Sequence, residues 1–211
     1  MVRFVTFEGG DGTGKTTHIR TLENYLTQQG RVSLVTREPG GTSLGRLIRR
    51  VLLEVGDQEI ASSTELFLYL ADRAQHVSEI IRPAIAAGKI VLCDRFTDST
   101  LAYQGYGRGI DLKLLQQLND LADAGVRPDL TFLFDCPVAL GLARTSQRQS
   151  EAGQPREDRF EREKVEFHEK IRAGFLEMAR AEPARFRVID AAQSVETVWH
   201  DIQSIVEREF P

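Results

Sequence analysis

Cysteine is scarce: Cys93 and Cys136 are the only two in 211 residues, and neither shares metal-like spacing with a histidine. This excludes a disulfide-stapled scaffold and a zinc site, and both thiols read as small buried hydrophobes of a reducing compartment. Long apolar runs are missing as well. Each hydrophobic stretch is soon broken by charge, far short of the ~20 residues that a membrane span requires. An excess of positive charge is absent too, since 27 Lys and Arg face 31 Asp and Glu for a net charge of -4. A broad nucleic-acid-binding surface is therefore not expected, although a local basic patch remains open. The N-terminus, Met1-Val2-Arg3-Phe4, has no basic-then-apolar leader, so the expected location is cytoplasmic. With neither an internal repeat nor a proline- or serine-rich linker, residues 1–211 read as one domain.

What is present is a core-forming composition, 41% hydrophobic and 27% charged, arranged in alternation. β-Branched or aromatic runs recur at Phe4–Phe7, Ser33–Thr36, Ile90–Cys93, Leu130–Phe134 and Phe186–Ile189. Helical periodicity lies between them, as in Leu66, Leu70, Ala74, Val77 and Ile81, or Leu112, Leu115, Leu118 and Leu121-Ala122. Near-continuously apolar strands joined by helices predict a doubly wound α/β fold, a five-stranded parallel sheet covered on both faces. Ligands of such sheets sit beyond the carboxyl ends of the strands, which directs attention to Glu8, Arg37, Asp94, Asp135 and Asp190. Gln147–Pro155 offers little apolar anchoring, and a short lid is expected at about residues 147–160.

Gly9-Gly10-Asp11-Gly12-Thr13-Gly14-Lys15-Thr16 fits G-x-x-x-x-G-K-[ST] between a predicted strand and a predicted helix, the context a phosphate-binding loop of the P-loop NTPase type requires. Its glycines let backbone N–H groups surround phosphate oxygens, helped by the helix N-terminus. Lys15 would reach the outer phosphates of ATP, and Thr16 would offer its hydroxyl to Mg2+; Thr17 lies beside them. No Asn-Lys occurs for a guanine-reading N-K-x-D stretch, which weakens a GTPase reading. Instead Arg37, Arg49, Arg73, Arg95, Arg148, Arg156 and Arg159 fall at strand ends and near the lid. Planar guanidinium groups suit phosphate oxygens, so a second phosphorylated substrate facing ATP is expected, as in a nucleoside monophosphate kinase.

Thr36-Arg37-Glu38-Pro39-Gly40-Gly41, Asp94-Arg95-Phe96 and Ala102-Tyr103-Gln104-Gly105, in that order behind the phosphate loop, closely resemble thymidylate kinase of the bacterial type. The resemblance runs from Phe4 to about Asp190. It implies transfer of the ATP γ-phosphoryl group to dTMP, giving dTDP, on a P-loop nucleoside-kinase fold that forms a homodimer. It further implies that Asp11 accepts a hydrogen bond from the deoxyribose 3′-hydroxyl, where pattern alone allows a turn residue. Asp94 would hold magnesium through water and Arg95 would bridge the two phosphates; the alternative is a strand-end ion pair. Tyr69 would stack on thymine and Arg73 bond a base oxygen, with Thr100 and Gln104 completing base recognition. Helical spacing alone favours the core for Tyr69, a preference the resemblance reverses, and phenylalanine is the commoner family residue there. Tyr103 would crowd a ribose 2′-hydroxyl, Arg49 would face the dTMP phosphate, and Pro39 would line the base pocket, though a solvated helix residue and a loop-former are the plainer readings of those two.

Some thymidylate kinases place a basic residue in the phosphate loop where this chain has Gly12. The transition-state cation is then expected from the lid, Arg159 being favoured over Arg148 and Arg156. Arg144, with the backbone of Ala191-Ala192-Gln193, would flank adenine. No histidine cluster forms among His18, His76, His168 and His200, in keeping with in-line transfer to an already anionic phosphate without a general base. Two rival readings stay open: a kinase for another nucleoside or its monophosphate, and a non-catalytic nucleotide-binding regulator.

Overall fold

The computed structural model of the chain describes residues 2–53, 59–152, 160 and 163–210. Five strands form one wholly parallel sheet: β1 (Phe4–Gly9), β2 (Ser33–Arg37), β3 (Ile90–Asp94), β4 (Leu130–Asp135) and β5 (Phe186–Asp190), in the order β2-β3-β1-β4-β5. Register places Phe7 beside both Asp94 and Phe132, so the carboxyl ends of the central strands come level with one another.

Side-chain alternation sorts the core into layers. Val5, Phe7, Leu92, Phe132 and Phe134 pack to one side, against α1 (Lys15–Gln28) and α9 (Val195–Glu209). Phe4, Val91 and Cys93 face the other side, under a π-helical turn at Val77–Ile81, which continues α3 (Ser62–His76), and under α4 (Arg82–Ala86). On that second side Leu133 and Phe186 lie under α8 (Val165–Ala181) and a π-helical segment, Leu101–Gly107, that continues α5 (Thr97–Thr100). Helices therefore cover both faces, as the continuous apolar strands require.

The remaining helices are α2 (Ser43–Leu53), α6 (Leu112–Asp123) and α7 (Val138–Ala152). Asp111 caps α6 by accepting the Leu114 N–H at 2.8 Å, and Ser194 caps α9 by accepting the Thr197 N–H at 3.2 Å. Periodicity misplaced some faces. Ala74 is exposed, and the buried side of α3 includes Asp72, Arg73 and His76. On α6, Leu115 is buried whereas Leu121 is 78% exposed. Residues 147–152, expected to begin a loop, instead finish α7. Gln, Arg, Glu and Ala are good helix formers, so propensity sustains the last turn without an apolar stripe.

Candidate active site

The phosphate loop bridges β1 and α1. Gly14 stands before α1 in the left-handed region, at φ 88°, and no side chain caps the helix. The first N–H groups of α1 are thus left for an anion, backed by the helix dipole. Gly12 also has positive φ, 70°, and a Cβ built there would overlap the carbonyl oxygen of Gly141 on α7. Steric exclusion explains why this position carries no basic side chain.

Lys15 folds back over the loop, donating from Nζ to the Gly9 carbonyl at 3.0 Å, the Gly10 carbonyl at 2.6 Å and Thr13 Oγ1 at 3.3 Å. Burial pushes its ammonium down to about 8, and the nearby Arg95 charge adds to the effect. Such a group gains from any phosphate that arrives.

At the end of β3 the chain turns sharply. Arg95 takes φ 69°, a conformation that costs a non-glycine residue about 1–2 kcal/mol. It is held there by its own bonds: Nη1 donates to the Gly9 carbonyl at 3.0 Å and to Ser99 Oγ at 3.2 Å, while Nη2 donates to Asp11 Oδ1 at 2.7 Å. Its guanidinium lies 5.0 Å from the centroid of the Tyr103 ring. Glu8 braces the turn from below, accepting the Phe96 N–H at 2.7 Å and the Ser99 hydroxyl at 2.6 Å. Burial, with Asp98 nearby, raises the Glu8 carboxyl to about 8. One residue earlier, Asp94 Oδ2 accepts from Thr16 Oγ1 at 3.3 Å.

Lys15, Thr16, Asp94, Arg95, Ser99 and Tyr103 line a cavity of about 390 Å³. One end is the loop itself, Asp11, Gly12, Thr13, Gly14, Lys15, Thr16 and Thr17, with Arg144 and Arg148 of α7 beside it. The opposite end carries Pro39, Arg49, Tyr69, Arg73, Thr100 and Gln104, and between the two stand Asp94, Arg95 and Tyr103. Gly9 and Gly10, expected at the nucleotide, are the exceptions; they line a smaller cavity of about 30 Å³ behind the loop. Arg144 lines the main cavity and donates to the Ala191 carbonyl at 2.7 Å, while Ala191-Ala192-Gln193, expected beside adenine with it, does not line it. Asp135, another strand-end candidate, is engaged by Arg172 at 2.7 and 2.9 Å. Arg156 and Arg159 lie outside the described residues.

Tyr69 is half-buried, packs on the aromatic cluster of Tyr103, Phe160 and Phe167, and also lines the cavity. Arg73 is buried, and four of the five N–H bonds of its guanidinium are engaged: Nε by Glu38 at 2.8 Å, Nη1 by Thr100 at 2.9 Å and Asn119 at 2.6 Å, and Nη2 by the Phe96 carbonyl at 3.0 Å. Gln104 is fixed by donating Nε2 to Glu65 Oε1 at 2.7 Å. Glu38, Glu65 and Asn119 escaped the sequence reading as site residues; a buried polar side chain on a helix, as for Glu65 and Asn119, or in a turn, as for Glu38, carries no periodic signal. The only mark on Glu38 was its place within Thr36–Gly41.

Comparison with known proteins gives this cavity a family. The family model for thymidylate kinase matches residues 7–202. The chain belongs to the thymidylate kinase family. It is 54% identical to the thymidylate kinase of Desulfovibrio desulfuricans over 205 residues, covering 97% of this chain and 94% of that one. The thymidylate kinase of Geobacter sulfurreducens is 50% identical over 211 residues, 100% of this chain and 99% of its own. Among solved structures, the crystal structure of thymidylate kinase from Ehrlichia chaffeensis aligns with a TM-score of 0.75 at 37% identity, covering 97% of this chain and 98% of that chain. The thymidylate kinase resemblance of the four motifs is borne out, as is the five-stranded P-loop fold.

Proposed function

We propose that this member of the thymidylate kinase family performs its reaction, ATP-dependent phosphorylation of dTMP to dTDP, inside the cavity of about 390 Å³, as one domain. The observation that carries this reading is the sharing of one space by the phosphate loop and the Tyr69–Arg73–Gln104 end, with Arg95 between them. An oxygen of the dTMP phosphate attacks the γ-phosphorus in line, the bond to the β-phosphate oxygen breaks, and ADP leaves. Lys15 neutralises the donor phosphates, Arg95 spans donor and acceptor, and Asp11 orients the sugar that carries the acceptor. Because dTMP is already anionic, positioning and charge neutralisation supply the catalysis. Arg159 of the lid is our choice for the further cation over the transferring group, with Arg148, which lines the cavity, next to it in rank.

Thr16 and Asp94 present a hydroxyl and a carboxylate 3.3 Å apart, two hard oxygen donors that suit Mg2+. Among the described residues no group of three or more His, Cys, Asp or Glu forms a metal cage, which fits an ion held largely by substrate phosphates. Thr16 would hold Mg2+ directly and Asp94 through water, and the bound ion would spread charge on the phosphoryl oxygens.

Dimerisation is supported by an uncovered apolar stripe. Leu44, Leu47 and Val51 of α2 are 47, 51 and 57% exposed, and Phe67 on the adjacent α3 is 61% exposed. Their spacing on α2 puts three large side chains on one helix face, an area that a second copy would cover. We also propose a cytoplasmic location; among the described residues no helix is long and apolar enough to cross a membrane.

Initial rates with ATP and a panel of acceptors test the reading. Preferred turnover of dTMP is expected. Preference for dCMP, dGMP or AMP would contradict it, and binding without turnover would point to a regulator.

A further inference from the structure

The base end of the cavity is backed by a chain of buried side chains that runs away from the cavity. Glu38, in the turn after β2, accepts Arg73 Nε–H on Oε2 at 2.8 Å and His76 Nδ1 on Oε1 at 2.9 Å. Across the imidazole, His76 Nε2 lies 2.6 Å from Thr36 Oγ1. Arg73 and His76 are three residues apart on α3 and therefore share a face. His76 carries no motif and does not line the cavity.

Donor and acceptor inventory selects the tautomer of the neutral ring. The Glu38 carboxylate only accepts, so Nδ1 must carry hydrogen; in the neutral ring Nε2 is then bare, and the Thr36 hydroxyl donates to it. His76 has 0% exposure, and a Cβ on Gly41 would run into its ring. The glycine turn is thus folded closely over the imidazole, which has no room to swing. With both oxygens engaged, Glu38 cannot rotate, and Arg73 Nε is held at one angle. Thr100, Asn119 and the Phe96 carbonyl occupy three further N–H bonds, so among the described residues one N–H on Nη2 is left over.

We propose that His76, locked as the Nδ1–H tautomer by Thr36, is a positioning residue for acceptor-base selectivity, acting through Glu38 to fix the one spare donor of Arg73. The inference rests on the proposed placement of the base at Arg73. A single fixed donor donates to the 4-keto oxygen of thymine but meets the 4-amino group of cytosine donor to donor. A site built around a buried donor rejects the ligand that leaves it unpaired, and rejection weakens if the donor can turn aside. His76 therefore acts on the choice between bases and leaves phosphoryl transfer untouched.

Steady-state kinetics with dTMP and dCMP at saturating ATP test this on the full chain, using His76→Phe, His76→Asn and Thr36→Val. In kcat/KM, selectivity for dTMP over dCMP should fall ~10-fold in His76→Phe and ~3-fold in Thr36→Val, through the dTMP KM, with kcat within about 2-fold. His76→Asn, whose amide can donate from near the Nδ1 position, should recover most of the loss. An equal fall for both acceptors, a fall in kcat alone, or unchanged selectivity would overturn the proposal. Should the variants fail to fold, 15N NMR of the wild-type ring decides: protonated Nδ1 with bare Nε2 supports it, and bare Nδ1 overturns it. Arg73→Lys separates the two levels of inference. If it leaves selectivity intact, the placement of the base is wrong; if it abolishes selectivity while the His76 variants do not, only the role of His76 fails.

Discussion

Arg95 donates to the carboxylate of Asp11 at 2.7 Å, tying the residue just beyond β3 to the middle of the phosphate loop. Burial works to raise the Asp11 carboxyl, but Arg95 and then Lys15 outweigh it and hold it below the usual carboxylate range. Asp11 is consequently charged at neutral pH, an acceptor fixed between donor and acceptor sites. Asp11→Asn keeps the shape and removes the charge. Its kcat/KM for dTMP should fall ~100-fold with the ATP KM unchanged or lower, as measured by steady-state kinetics.

Lys15 sets an alkaline limit. Burial and Arg95 bring its ammonium down to about 8, so in the free enzyme it is charged below that pH and neutral above it. kcat/KM for ATP, which reports ionisations of the free enzyme, should be flat up to about pH 8 and then fall about tenfold per unit. A pH–rate profile with ATP as the varied substrate checks this.

Arg73 matters to the fold as well as to the proposed base site. Arg73→Met would leave Glu38 buried with its cationic partner gone. Breaking a buried ion pair from one side costs ~3–5 kcal/mol, to be read from urea unfolding of the variant against the parent.

Asp72 lies beside this network, accepting the Gly40 N–H at 3.0 Å through Oδ1, while its buried Oδ2 has no partner. Burial, with Glu38 adding, raises its carboxyl from 3.8 to about 6. The folded state then holds a proton that the unfolded state has released, so stability falls as pH rises from 3.8 towards 6 and stays lower above it. The fall should amount to about 3 kcal/mol at most, and Asp72→Asn should abolish it. Denaturant titrations at pH 4.5 and 7.5 provide the comparison.

The strands and the phosphate loop were legible because each rests on a local rule: apolar β-branched runs, and glycines ahead of Lys15 where backbone must approach phosphate. Of the base end, Tyr69, Arg73, Thr100 and Gln104 became legible only through family resemblance, since helical spacing could not separate Tyr69 from core. Glu38, His76 and Asn119 stayed hidden because burial of a polar side chain depends on partners far along the chain, as His76 depends on Glu38 and Thr36. The end of α7 was misread for the opposite reason: residues 147–152 lack an apolar stripe, yet their propensity suffices to continue a helix already begun.

A crystal structure of the chain with dTMP bound tests the central claim most directly. The result expected is thymine against Tyr69, its 4-keto oxygen at Arg73, Thr100 and Gln104 at the base edge, and the phosphate turned towards Arg95. A base bound away from Tyr69 and Arg73, or a dTMP phosphate seated on the Lys15 loop in place of the donor nucleotide, would contradict it.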